Sequence, residues 1–182
     1  GDLKGQNFGQ SWNVRTPDGT VSKALPNGGP FSASGTVTNA AGGTVATPSA
    51  WGSVTFSGGV VASDTTVRLT ELTVRQSPTS RRATEPITAG TRALNFEVTD
   101  SAGKALAAER TEFAANVCIK YTDADNNASY GGVLALRVLV YSVGNSDWTT
   151  TTPTLDLIKG EVCGVTRRHG VVLLAGGAAP AP

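Results

Sequence analysis

Apolar and polar residues alternate with a period of two along most of the chain, and clusters of turn-forming residues separate the alternating stretches. The first such stretch sets Phe8, Gln10, Trp12 and Val14 on one side. Short strands are expected next over 34–38 and 53–56, then over 65–74, where Val67 and Leu69 share a face. Residues 77–90, with two prolines and the pair Arg81 and Arg82, form a long exposed connection to a strand over 92–99 that groups Leu94, Phe96 and Val98. Residues 104–110 contain helix-favouring Ala, Leu and Glu, but the stretch is barely two turns long, so extended or irregular chain is expected there. A strand over 117–121, a polar loop over 122–132 and strands over 134–143, 154–158, 161–166 and 171–174 complete the pattern. The stretch 134–143 is the most hydrophobic and is expected to be central and buried.

Roughly nine to eleven short strands at this spacing predict an all-β protein, an antiparallel β-sandwich with an extended N-terminal arm. The predicted core is Phe56, Val67, Leu69, Leu94, Phe96, Val98, Ile119, Leu136, Val138, Val140, Val165 and Val172. Residues 1–41 are assigned to the arm, 42–175 to the sandwich and 176–182 to a linker-like Gly/Ala/Pro tail. A period-two apolar face at Phe8, Trp12 and Val14 needs a cover, which strand addition to a neighbouring copy or another surface protein would supply, the alternative being that the arm folds back on its own domain.

Composition strengthens the β assignment: charged residues are only 16% and glycines number 22. Lys and Arg total 15 against 14 Asp and Glu, a net charge of +1, so no basic footprint for nucleic acid is present. The chain starts at Gly1 and contains no methionine, which points to a processed chain that has lost a signal peptide. No apolar run reaches the length of a membrane-spanning helix. Two cysteines, Cys118 and Cys163, each within a β-like run, fit one disulfide in an exported protein. The expected localisation is therefore extracellular or at the cell surface.

One stretch carries a resemblance. Gly42-Gly43-Thr44-Val45, Val54-Thr55-Phe56, Gly58-Gly59-Val60-Val61 and Asp64-Thr65-Thr66-Val67 are followed much later by Trp148, Leu155-Asp156, Val162-Cys163-Gly164-Val165-Thr166 and Gly170-Val171-Val172-Leu173. This series resembles the β-sandwich module of ankyrins and netrin receptors, also carried by bacterial surface proteins, over about 42–175. Ser57 stands where that module commonly has a proline before the glycine corner. The resemblance implies a non-enzymatic structural or interaction module.

Candidate chemistry is sparse. Asp123, Asp125 and Asn127 alternate as in the first half of a calcium loop, but Ala128 and Leu134 replace the glycine and glutamate of the second half, so a solvated turn competes with calcium. Asn127-Ala128-Ser129 is an N-glycosylation sequon, and Thr149, Thr150, Thr151 and Thr152 before Pro153 suit O-glycosylation or a hydroxyl-rich edge strand. Arg167-Arg168-His169 reads as a solvent-facing turn. Trp12, Trp51 and Trp148 with Tyr121, Tyr130 and Tyr141 would stack on sugars if exposed, though core packing is the commoner fate of such rings. With one histidine and no nucleophile-elbow, zinc-ligand or phosphate-loop spacing, no catalytic residue and no cofactor are assigned. The expected function is a non-enzymatic extracellular structural protein, a surface or filament subunit. The alternative is a carbohydrate- or calcium-binding adhesion module.

Overall fold

The computed structural model describes residues 12–15, 31–76, 87–106, 114–142 and 147–177. Its strands are β1 (Trp12–Arg15), β2 (Ser32–Val37), β3 (Gly42–Ala46), β4 (Gly52–Ser57), β5 (Thr65–Gln76), β6 (Ile87–Thr99), β7 (Ala115–Lys120), β8 (Arg137–Ser142), β9 (Asp147–Thr150), β10 (Pro153–Asp156), β11 (Glu161–Thr166) and β12 (Gly170–Gly176). They form two antiparallel sheets. The larger runs β1-β5-β6-β12-β8-β9, with β2 also on β5, and the smaller runs β10-β11-β7-β4-β3.

The core between the sheets follows from the alternation. Val67 and Leu69 of β5, Leu94, Phe96 and Val98 of β6, Val138 and Val140 of β8 and Val172 of β12 meet Val54 and Phe56 of β4, Val117 and Ile119 of β7 and Val162 of β11. All the predicted core residues are buried except Val165, which is 59% exposed. On β11 the inward positions are Val162, Gly164 and Thr166, so Val165 faces out beside Cys163. The slot that a side chain at 164 would fill is taken by Thr151, whose Oγ1 lies 1.9 Å from where a Cβ on Gly164 would stand.

Three further expectations change. The chain over 134–143 is not one central strand. Gly131 and Gly132, both at positive φ, start a 3-10 helix over Gly132–Ala135, Leu134 is 83% exposed, and β8 lies next to the edge strand β9. The loop over 122–132 contains a helix, α1 (Asp123–Ala128), opened by a capping box in which Thr122 and Asp125 bond each other's backbone N–H. The boundary at 41/42 falls between paired strands: β2 lies along Thr65–Thr70 of β5 and Val37 is fully buried, while β12 extends through Gly176. Around 104–110, a bridge joins Ala105 to Thr99 and residues 107–110 lie outside the described residues.

The larger sheet is also apolar on its outer face. Leu72, Ala93, Leu173 and Leu139 are consecutive cross-strand neighbours on β5, β6, β12 and β8. They lie outside the cluster between the sheets, yet each is at most 2% exposed. Every residue from Val171 to Gly176 is accordingly buried, the mark of a strand covered on both faces.

Candidate functional site

Two regions of the surface are built differently from an ordinary sandwich. The first is the edge of β5. Its partner on that side comes in two pieces: β1 pairs Trp12 with Gln76 through Arg15 with Thr73, and β2 pairs Ser32 with Thr70 through Val37 with Thr65. Both pieces run antiparallel to β5, so they are halves of one edge strand. Two residues would suffice to pass Leu72 and Glu71; sixteen, residues 16–31, stand there, so fourteen are in excess. Trp12 and Val14 thus take their register on β5 of their own chain, opposite Gln76 and Val74. Phe8 lies outside the described residues.

The second region is the outer face of the smaller sheet. Cross-strand rows there read Lys120–Glu161–Asp156, then Ser53–Cys118–Cys163–Thr154, then Thr44–Thr55–Asn116–Val165. The middle row consists of small side chains, so the face is hollow, with a depression of about 640 Å³. Its floor is the disulfide Cys118–Cys163, which joins residues directly opposite in register with Cα atoms 4.0 Å apart. Asn116 Nδ2 donates to Cys118 Sγ at 3.5 Å. Lys159 Nζ stands 3.8 Å from Asp156 and 3.9 Å from Glu161, between two carboxylates that face each other across the strands. No aromatic side chain lines this hollow among the described residues.

The remaining candidates do not converge. Asp125, at 2% exposure, spends its carboxylate on the backbone N–H and hydroxyl of Thr122 at 2.6 and 3.0 Å. The trio Asp123, Asp125 and Asn127 therefore lies on the capped helix α1. Asn127 itself is exposed on α1. Thr150 and Thr152 are exposed, Thr149 is half-buried, and Thr151 is buried with its hydroxyl donating to Val138 O at 2.8 Å, which removes it as a glycan acceptor. His169 is not in a solvent-facing turn. It is 8% exposed, its ring 6.0 Å from that of Phe96, and it borders a smaller hollow of about 370 Å³ beside the Arg68–Glu97 ion pair. Arg81 and Arg82 lie outside the described residues.

Among the rings whose side chains are described, Trp51, Tyr121 and Tyr130, no stacking platform is formed. Trp51 is half-buried against the core with the Arg92 guanidinium 5.5 Å above it, and Arg92 Nη1 also donates to Lys120 O at 2.7 Å. Tyr121 packs on the core and Tyr130 is 61% exposed. Trp12, Tyr141 and Trp148 are placed by their strands alone.

One buried polar group escaped the sequence reading. Glu71, on the inward side of β5 and 5% exposed, accepts hydrogen bonds from Ser49 N at 2.7 Å and Ser49 Oγ at 3.1 Å, tying the large sheet to the β3–β4 connection. A charged residue at an expected core position between Leu69 and Leu72 was the available signal. The chain matches no family model, and no curated protein or solved structure matches it significantly.

Proposed function

We propose that this chain is a non-enzymatic structural module of an exported or surface protein, and that copies associate by exchanging strand β1. The observation that carries the reading is the edge strand in two halves, with fourteen surplus residues between them. A strand tied by so long a connection can pair with β5 of a neighbour using the same hydrogen bonds it makes at home, so exchange costs little beyond association. At up to ~3.3 Å per residue, a connection of that length is long enough to span to an adjacent molecule. The disulfide supports assembly in an oxidising compartment. The likeness of 42–175 to the ankyrin and netrin-receptor module points the same way, to structural rather than catalytic work.

Asn13 and Arg75 are register partners, which gives a direct test. Asn13→Cys and Arg75→Cys, placed in separate copies that are mixed, unfolded, refolded and oxidised, should give covalent dimers joined through the new cysteines. When both changes sit in one copy, the reading requires a concentration-dependent ladder of linked chains. Intrachain linkage alone at every concentration would show that β1 stays on its own β5, and the assembly reading would fall.

A further inference from the structure

The disulfide occupies an unusual place for a structural staple. β7 and β11 are both interior strands of the smaller sheet, flanked by β4 and β10. They are held to each other by six register pairs, with two on one side of the cysteines and three on the other. The ladder, not the bridge, keeps Cys118 and Cys163 opposite each other. Both sulfurs lie on the floor of the outer hollow, and the Glu161 carboxylate shares it: Cys118 Sγ, Cys163 Sγ and a Glu161 oxygen all fall within 4.8 Å of one another.

We infer that opening this bridge turns the floor of the hollow into a binding site for a thiophilic divalent cation such as zinc, held by the thiolates of Cys118 and Cys163 and the carboxylate of Glu161. Zinc–thiolate bonds of about 2.3 Å at tetrahedral angles hold two sulfurs about 3.8 Å apart. Cys118 and Cys163 are directly opposed with Cα atoms 4.0 Å apart, so their sulfurs reach that separation by side-chain rotation. Two sulfurs and one oxygen leave a fourth position open to the hollow, the arrangement of an accessible rather than a closed zinc site. The surroundings suit three anionic ligands. Asn116 Nδ2 already donates to Cys118 Sγ, Lys159 stands 3.9 Å from Glu161, and Lys120 is its direct cross-strand neighbour. The site exists in one redox state only, so oxidation would expel the ion.

The chemistry balances with a reductant of either common class. A dithiol gives two electrons and two protons and ends as its own disulfide. A phosphine attacks one sulfur, the S–S bond breaks, water transfers its oxygen to phosphorus, and two thiols and a phosphine oxide result. Binding of the cation then displaces the two thiol protons to solvent.

The experiment uses the full chain reduced with a water-soluble phosphine, which does not compete as a thiol ligand, and titrated with cadmium under inert gas. Ultraviolet thiolate-to-cadmium charge transfer reports sulfur ligation, and circular dichroism reports the fold. Reduced protein should keep its β signal and saturate at one cadmium per chain, zinc should displace it, and oxidised protein should show no such absorption. Glu161→Gln should weaken the apparent affinity by about tenfold or more, as loss of groups at metal sites does. The double variant Cys118→Ser, Cys163→Ser should fold and lose the charge-transfer signal. Collapse of the β signal on reduction, absence of charge transfer in the folded reduced chain, one cadmium per two chains, or an affinity unmoved by Glu161→Gln would each overturn the inference. None of these readouts depends on strand exchange, which the cross-linking of residues 13 and 75 tests separately.

Discussion

Thr151 is the residue on which the two sheets are joined at one side. Its N–H and its hydroxyl both donate to Val138 O, at 3.2 and 2.8 Å, as the chain leaves β9 of the large sheet for β10 of the small one. Its side chain fits only because residue 164 has none: a Cβ there would stand 1.9 Å from Oγ1 and 2.6 Å from Cβ of Thr151. Gly164→Ala must push Thr151 off Val138 or spread β10 from β11. It is expected to cost about 1–3 kcal/mol in urea unfolding, the usual penalty of overpacking, whereas Thr154→Ala on the exposed neighbouring strand should stay within about 0.5 kcal/mol. Glu71 gives a second residue-scale prediction. Its carboxylate is buried and satisfied by Ser49, so Glu71→Ala removes two charge-assisted bonds and is expected to destabilise by about 1.5–3 kcal/mol on the same measurement. Glu71 left a signal in the sequence as a charge at an inward position, but its partner Ser49 did not, and Gly164 looks like a mere break in the alternation until the opposing strand is known.

At the scale of elements, period-two patterning placed most strands well, because β4, β6, β7 and the start of β5 have one apolar and one polar face. It misled on β11, where Val162, Cys163 and Val165 are apolar on both faces and Gly164 hides the inward parity. It also gave no warning that β12 and its neighbours are buried on the outside, since the run Val171 to Ala175 is apolar throughout and carries no period. The short helix α1 was readable in principle from Thr122 and Asp125 as a capping pair. The competing likeness to a calcium loop used the same carboxylate. Pairing of Cys118 with Cys163 was readable, but its place on the outer face of interior strands was not. That placement sets an expectation for stability. A bridge closing a 45-residue separation contributes about 4 kcal/mol on the chain-entropy model, less than the total stability of most domains of about 5–15 kcal/mol. The double variant Cys118→Ser, Cys163→Ser should therefore shift its urea midpoint down by the equivalent of about 4 kcal/mol or less, with a cooperative transition and an unchanged β spectrum. A chain unfolded without denaturant would mean that the ladder between β7 and β11 depends on the bridge.

For the molecule as a whole, the most informative feature is the break in its edge strand. Sequence patterning found a strand near Trp12 and Val14 but no partner for it, because register is a property of two strands and β5 offers several equivalent apolar positions. With the register known, the break can be removed by design. Deleting residues 17–30 leaves Thr16 and Phe31 to pair with Leu72 and Glu71, so that residues 12–15 and 32–37 keep their present partners on β5 and the two halves become one continuous strand. Such a strand has no slack with which to leave its own chain while β2 stays in place. The fourteen-residue deletion should fold, unfold at equal or higher denaturant concentration because less loop entropy opposes closure, and remain monomeric by light scattering at concentrations where the proposed exchange would make the full chain associate. It should also carry the cysteines at 13 and 75 only as an intrachain bond. If the shortened chain assembles as readily as the parent, exchange of β1 is not what joins the copies, and the surplus residues between β1 and β2 serve another purpose.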